Sequence, residues 1–360
     1  MKSYKNLYPK LCSYNNLLLA FKKARKNKIS KSYVKEFEIN LENNLLQLKK
    51  ELLEFTYNPK KLVKFIIRDP KTRVIRKSDF RDRIIHHAVV NILESIYDKT
   101  FIYDSYANRI NKGTINALKR FDKFKRKVSN NGKLANNSIN NNMVKGYALK
   151  GDIKQFFDSV NHDILIKIFR RKIKDNRILW LINLILKNFD NNERGMPLGN
   201  MTSQFFANVY LNELDYFVKH KLKAKYYIRY VDDFVILNNN KEVLEMYKDK
   251  INKYLSNLKL ELHIDKSKIF PIYEGVNLLG FKVFYHYRLL RKRNIKRFNK
   301  RLKEFYDDYK LGLRDYKSIK VSVDGWLAYA IWGDTYKLRK KIIRRIDIMF
   351  KLNCTLANKI

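Results

Sequence analysis

Cysteine is nearly absent from the chain, with only Cys12 and Cys354, near opposite ends of 360 residues. Two such residues supply neither the close spacing of a zinc site nor a disulfide framework, so a reducing cytosol is the expected compartment. Long apolar runs are missing as well. The stretch Leu17–Ala20 behind the basic N-terminus is too short for a signal-peptide core, and nothing approaches the roughly 20 residues of a membrane span. The expectation is a soluble, cytoplasmic protein with no membrane partner. Acidic residues are scarce: Asp and Glu total 35 against 77 Lys and Arg, a formal charge of +42. Such an excess of one sign opposes compaction unless a polyanion neutralises it. Nucleic acid is the polyanion the composition favours, with an anionic membrane surface as competitor. Abundant Lys, Asn, Ile, Tyr and Phe also fit an AT-rich coding bias, which raises charge without function. The 14% aromatic content serves a packed core and offers stacking surfaces for bases.

The length suffices for a large core and two or three subdomains. Residues 1–60 read as a basic helical extension, with helices over Tyr14–Lys26 and Glu36–Phe55, the latter carrying Leu41, Leu45, Leu48 and Leu52 at helical spacing. Pro59 ends that pattern. Leu62–Ile67 and Arg73–Ile75 read as short strands joined by a turn at Asp69-Pro70-Lys71. Phe80–Ile96 is a helix, and the Asn-rich residues 129–143 form a loop. Tyr147–Ile153 is a strand, and a helix starts at His162 behind the cap Asn161. Further helices cover Ile178–Phe189, Gln204–Lys221 and Lys241–Leu258, while Tyr226–Tyr230 and Phe234–Leu237 make a hairpin around Asp232-Asp233. From Arg288 the chain becomes a basic helical tail. No internal repeat is visible. Helical and basic ends around a mixed centre suit an α+β, hand-like polymerase with a catalytic sheet between two gripping parts.

Phosphoryl transfer to a growing strand uses two divalent ions about 4 Å apart. Mg²⁺ takes hard oxygen ligands, usually one or two carboxylates with phosphates and water completing the shell. Asp152 at the end of one apolar strand and Asp232 in the turn of an apolar hairpin could share such a pair of ions at one sheet edge. Taken alone, Asp232-Asp233 is equally an ordinary acidic turn.

The surrounding residues resolve that ambiguity through a resemblance. Tyr230-Val231-Asp232-Asp233 resembles the catalytic box of reverse transcriptases, and the run from Gly151 through Phe156-Phe157-Asp158 to His162 resembles the first palm box, about 80 residues earlier. Residues 65–73 and 82–88 are similar to fingers boxes, and 101–109 to the one after them. The run Gly195-Met196-Pro197-Leu198-Gly199-Asn200-Met201-Thr202-Ser203-Gln204 is similar to the box bearing on template and incoming base. Residues 263–268 and 277–281 resemble the later palm and primer-grip boxes.

The resemblance implies a right-hand polymerase: an extension over 1–60, fingers over 61–146, palm over 147–285 with about 170–195 lent to the fingers, and a helical thumb over 286–360. It implies RNA-directed DNA polymerase activity with two Mg²⁺ ions, Mn²⁺ being a possible substitute. Asp152, Ile153, Asp232 and Asp233 match the metal-binding positions, Asp233 with the weaker direct role. Lys266 matches a lysine that protonates pyrophosphate, with Lys268 close by. Phe157 matches a steric gate against the ribose 2′ hydroxyl, although by itself it reads as a core aromatic beside Phe156. Arg73 would fork onto the triphosphate, with Gln155, Gly199 and Gln204 also at the nucleotide. Arg83 beside Asp82 reads as a structural pair. Leu198, Asn200, Gly280, Arg291, Arg293, Lys296 and Arg297 are expected on template and primer. Arg288–Arg301 holds eight basic residues and no acid, either a solvated face or a surface that grips phosphates without reading sequence. Trp326 and Trp332 read as thumb packing.

Many retroviral and intron enzymes have Gln before the Gly of the template-contacting box and Pro after its Ser. Here these positions are Leu198 and Gln204, which resembles the reverse transcriptases of diversity-generating retroelements. Those enzymes copy a template RNA with errors at adenines, and a looser contact with the templating base would relax discrimination. The expected partners are template RNA, cDNA, their RNA–DNA duplex, dNTPs and a small basic accessory protein. No maturase, endonuclease or RNase H part is expected after the thumb. The alternatives are a stand-alone phage-defence or group II intron-like enzyme and, more remotely, an inactive RNA-binding protein.

Overall fold

The computed structural model describes residues 2–68, 72–135, 143–189 and 193–350. The chain opens with helices α1 (Tyr8–Leu11), α2 (Tyr14–Arg25), α3 (Ser32–Ile39) and α4 (Leu41–Leu53). Strands β1 (Val63–Ile67) and β2 (Arg73–Lys77) precede helices α5 (Phe80–Tyr97) and α6 (Thr114–Val128). Strand β3 (Tyr147–Asp152) leads into α7 (Phe156–Ser159), α8 (His162–Lys172), α9 (Asn176–Lys187) and α10 (Met201–Tyr216). Strands β4 (Tyr226–Tyr230) and β5 (Asp233–Asn238) are followed by α11 (Lys241–Asn257). Short strands β6 (Lys268–Pro271), β7 (Val276–Leu278), β8 (Phe281–Val283) and β9 (Arg288–Leu290) end the sheet-forming part. Helices α12 (Lys292–Lys310), α13 (Tyr316–Ala330) and α14 (Tyr336–Met349) close the described chain. The fold is α+β, as expected.

Among the described residues three sheets form: β1-β2, a four-stranded sheet in the order β4-β5-β3-β6, and β7-β8-β9. In the first, Val63 faces Lys77 and Ile67 faces Arg73, antiparallel as the sequence suggests; the expected turn at 69–71 lies outside the described residues, as do 136–142 of the expected Asn-rich loop. The backbone divides into two compact units.

The first unit comprises Met1–Gly113, Lys150–Ile236 and Glu245–Lys268. Its core forms because α2 and α5 each present an apolar stripe, Leu17, Ala20, Phe21 and Ala24 on one and Ile84, Ala88, Val89 and Leu93 on the other, all buried. Helix α10 packs on α5 and α8, with Phe169 and Phe206 edge to face at 5.1 Å. The Asn161 side chain accepts from the Ile164 amide at 3.1 Å, the cap read from the sequence.

The second unit comprises Thr114–Leu149, Leu237–Leu244 and Ile269–Ile360. Phe298, Leu302, Phe305, Ile319, Val323, Ile342 and Ile346 from its last three helices bury one another. Trp326 stacks on Phe298 at 4.0 Å, the packing role expected of it.

Three expectations need correction. The helix foreseen over Glu36–Phe55 is two helices broken at Asn40, which has φ −116° and ψ 46°. The side chain of Asn44 takes the Phe37 carbonyl at 2.9 Å, the acceptor a continuous helix would use for the backbone. Arg288 begins a strand, not a helix. Leu289 is exposed and Leu290 buried, a two-residue alternation, and the Arg288 guanidinium is spent on Asp122 and the Trp332 carbonyl. Finally, Asp82 and Arg83 do not pair. Buried Asp82 accepts from the Tyr57 hydroxyl and the Lys60 amide, each at 2.9 Å, while Arg83 Nε donates to the Ser78 carbonyl.

Candidate active site

The four-stranded sheet sets the site in the first unit. β4 and β5 are joined by Val231 and Asp232, so Asp232 sits in a two-residue turn and Asp233 opens the next strand. The neighbour of β5 is β3, whose last residue is Asp152. The Ile153 amide donates to the Asp232 carbonyl at 3.3 Å, joining the two acidic segments main chain to main chain. Gly151 makes this pairing possible, since a Cβ there would enter the ring of Phe234.

Electrostatics reports the proximity of the carboxylates. Burial, then Asp233 and Asp152, push the Asp232 carboxyl up to about 6, with Arg73 opposing. Asp233 is also raised by burial and by Asp152, with Lys150 holding it down. Two lysines offset part of this repulsion. Lys266 Nζ lies 3.0 Å from Asp152 Oδ1, and Lys150 Nζ lies 3.5 Å from Asp233 Oδ1. The second approach is a loose ion pair rather than a hydrogen bond, and that buried Asp233 oxygen has no hydrogen-bond partner among the described residues.

These residues fit a divalent cation. Mutually repelling carboxylates and an unsatisfied buried oxygen form a hard-oxygen donor set that a cation would relieve. Among the described residues no three His, Cys, Asp or Glu side chains form a cage around one point. A site completed by phosphates and water needs fewer protein ligands than such a cage.

The other expected residues are distributed as follows. Arg73 at the start of β2 is exposed and acts electrostatically on Asp232. Exposed Gln155 follows Asp152 in a left-handed conformation, φ 44°. Phe156 is buried and Phe157 half-buried, their rings edge to face at 5.4 Å. The Leu198 carbonyl accepts from the Arg76 amide at 3.3 Å, which docks the box 195–204 beside β2. Gly199, at φ 112°, has room for a Cβ only 3.1 Å from Ile75 Cγ2. Asn200 is buried and Gln204 half-buried at the start of α10.

Gly280, Arg291, Arg293, Lys296 and Arg297 lie in the second unit. Leu279 and Gly280 form the two-residue turn between β7 and β8, both at positive φ. A Cβ on Gly280 would collide with the Tyr329 hydroxyl. The Gly280 carbonyl accepts from the Arg291 amide and the Asn294 side chain, each at 3.2 Å, tying this turn to the start of α12. Arg293 and Lys296 are exposed on that helix.

Sequence reading missed Lys150, which reaches the Asp233 carboxylate, and Arg76, which packs on an aromatic ring. Lys150 precedes Asp152 by two places, the spacing that puts both on one strand face. Arg76 lies over the Phe189 ring at 4.4 Å, with its buried Nε lacking a hydrogen-bond partner among the described residues. No short pattern marks Arg76, because Phe189 is remote in sequence.

A family model described as "Reverse transcriptase (RNA-dependent DNA polymerase)" matches residues 59–283. Protein YkfC of Escherichia coli K12 is 26% identical, the match covering 69% of this chain and 71% of that protein. The group II intron-encoded protein LtrA of Lactococcus lactis subsp. cremoris is 26% identical over 72% of this chain and 52% of its own length. The retron Ec48 reverse transcriptase of Escherichia coli is also 26% identical, covering 57% and 52%. The chain thus spans about half the length of the intron-encoded and retron relatives. Among solved structures, the apo telomerase of Candida tropicalis is similar with a TM-score of 0.47 and 15% identity, over 67% of this chain and 59% of that one. Among the described residues, no helix is long and apolar enough to cross a membrane.

Proposed function

The chain belongs to the reverse transcriptase family of RNA-directed DNA polymerases, and from that premise we propose that Asp152, Asp232 and Asp233 form its polymerisation centre. One observation carries this reading: β3 pairs with β5 and the Ile153 amide binds the Asp232 carbonyl at 3.3 Å, so the acidic segments meet at one sheet end, where burial and the neighbouring carboxylates raise Asp232 and Asp233. Asp152 and Asp232 would hold two Mg²⁺ ions, with Asp233 and the main chain at Ile153 beside them. When bound, the ions supply activation of the primer hydroxyl and charge stabilisation around the transferred phosphorus.

The chain's own residues do the rest. Arg73, exposed beside the carboxylates, presents a guanidinium to the triphosphate. Lys266, held on Asp152 Oδ1, is placed to hand a proton to the leaving pyrophosphate. Phe157, half-buried beside Phe156, would exclude a ribose 2′ hydroxyl. Gln155, Gly199 and Gln204 border the nucleotide, and Leu198 and Asn200 border the template. Gly280, Arg291, Arg293, Lys296 and Arg297 hold the template–primer duplex by its phosphates. In this reading the fingers cover 61–146, the palm 147–285 and the thumb 286–360, behind an extension over 1–60.

The finer function we propose is the error-prone enzyme of a diversity-generating retroelement, acting on template RNA and dNTPs beside a small basic accessory protein. Leu198 supports it, because an aliphatic side chain offers no hydrogen bond in the box facing the templating base. A second reading, an intron-like or retron-like enzyme, is favoured by the similarity to LtrA and to the Ec48 enzyme. Sequencing the cDNA made on a primed RNA with Mg²⁺ separates them. Errors concentrated opposite template adenines are expected; an accurate, even error spectrum would select the second reading.

A further inference from the structure

Val231 is the only β-branched residue at positive φ among the described residues, at +55°, and it immediately precedes Asp232. Such a residue normally avoids this conformation, so the surroundings must impose it. The residue that touches it from below is Arg229, which is 0% exposed.

The five N–H donors of the Arg229 guanidinium are matched by five hydrogen bonds. Nε and Nη2 fork onto the Asp215 carboxylate at 2.7 and 2.6 Å. Nη2 also reaches Ser105 Oγ at 3.2 Å, and Nη1 reaches Asn208 Oδ1 at 3.2 Å. The fifth bond runs from Nη1 to the Val231 carbonyl at 3.1 Å. Asp215 is itself fully buried and takes a third bond from the Tyr227 hydroxyl at 2.7 Å. The main chain of Arg229 is clamped too, its amide on the Asp104 carbonyl and its carbonyl on the Tyr106 amide, each at 3.0 Å.

A buried ion pair serving only the core would need the fork onto Asp215 and nothing at the turn. Here Nη1, the nitrogen outside the fork, reaches the carbonyl of the strained residue. Beyond that residue, the carbonyl of Asp232 is held by the Ile153 amide. The turn is therefore pinned on both sides of the Asp232 side chain.

We infer that the buried Arg229–Asp215 pair is a positioning device for the metal-binding turn: by holding the Val231 carbonyl it fixes the direction of the Asp232 carboxylate. The inference rests on the reading that Asp232 binds a divalent ion. Arg229 and Asp215 are both fully buried. Both act through Val231, as outer partners of metal ligands do.

The test is Mn²⁺ binding by the full chain, followed through the electron paramagnetic resonance signal of free Mn²⁺, with thermal unfolding measured alongside. Arg229→Lys keeps a positive charge against Asp215, but donors on a single nitrogen cannot reach both Asp215 and the Val231 carbonyl. The expected result is a folded variant whose Mn²⁺ affinity falls about 10–100-fold. Should Arg229→Lys not fold, the double variant Arg229→Met with Asp215→Leu removes both buried charges together, and the same loss of affinity is expected. Wild-type affinity in whichever folded variant is measured, with weak binding by Asp232→Asn, would overturn the positioning role alone. Wild-type affinity in Asp232→Asn would overturn the metal reading and this inference with it.

Discussion

Replacing Asp232 by asparagine in protein stripped of divalent ions removes one charge from a crowded cluster while preserving side-chain shape. Burial and two neighbouring carboxylates raise the Asp232 carboxyl from 3.8 to about 6 in the folded chain. At roughly 1.4 kcal/mol per pH unit, that difference is a ceiling of about 3 kcal/mol of strain at neutral pH. Partial solvent access to the carboxylates reduces it, and about 1–2 kcal/mol is the expected gain in Asp232→Asn. The sign follows from linkage. Between pH 3.8 and 6 the folded protein keeps a proton that the unfolded chain has lost, so the penalty is full above 6 and vanishes below 3.8. Urea unfolding in EDTA at pH 7 and pH 4 measures it. The variant should be more stable than wild type at pH 7 and equal at pH 4. Added Mg²⁺ should stabilise wild type by mass action and leave the variant behind. An unchanged midpoint at pH 7, or a gain independent of pH, would refute the proposed crowding.

Three further outcomes follow from other parts of the chain. Gly280→Ala puts a Cβ into the Tyr329 hydroxyl at a φ of 92°, so a loss of about 1–3 kcal/mol is expected in denaturant unfolding; wild-type stability would contradict the turn geometry. Burial lowers His86 to about 3 and His87 to about 4, so both stay neutral in the fold while the unfolded chain takes up protons below about 6.5. Stability should then fall as pH drops from 6.5 toward 4, by at most about 1.4 kcal/mol per pH unit for each histidine, and His86→Gln should flatten the profile. Leu198→Gln, which restores a hydrogen-bonding side chain in the template box, should lower the error frequency opposite adenines in sequenced cDNA, with an unchanged spectrum removing Leu198 from fidelity control.

Local signals were legible in the sequence. Asn161 as a cap, the apolar stripes of α2 and α5, and the apolar strands flanking Asp232-Asp233 each follow from neighbours a few residues apart. What failed depended on contacts that no periodic pattern marks. Arg288 carries the same charge as the helix behind it, yet it pairs with Val283 in a short hairpin and bonds to the remote Asp122. The break at Asn40 needed knowledge of which acceptor Asn44 would take. In the site, the two acidic segments were visible as motifs, but the fork from Arg229 to Asp215 spans a helix end and a strand and follows no fixed spacing. Amphipathic α6 was left unassigned because its basic residues obscure a stripe made by Ala117, Leu118, Phe121, Phe124 and Val128.

The central claim is that Asp152 and Asp232 hold the ions of a DNA polymerase centre. Incorporation of labelled dNTPs on a primed RNA, with Mg²⁺ titrated for wild type, Asp152→Asn and Asp232→Asn, tests it most directly. The account predicts Mg²⁺-dependent extension by wild type and a loss of about 10²–10³-fold in each variant, on the scale of removing an essential electrostatic group. Extension that proceeds equally in wild type and both variants would contradict it.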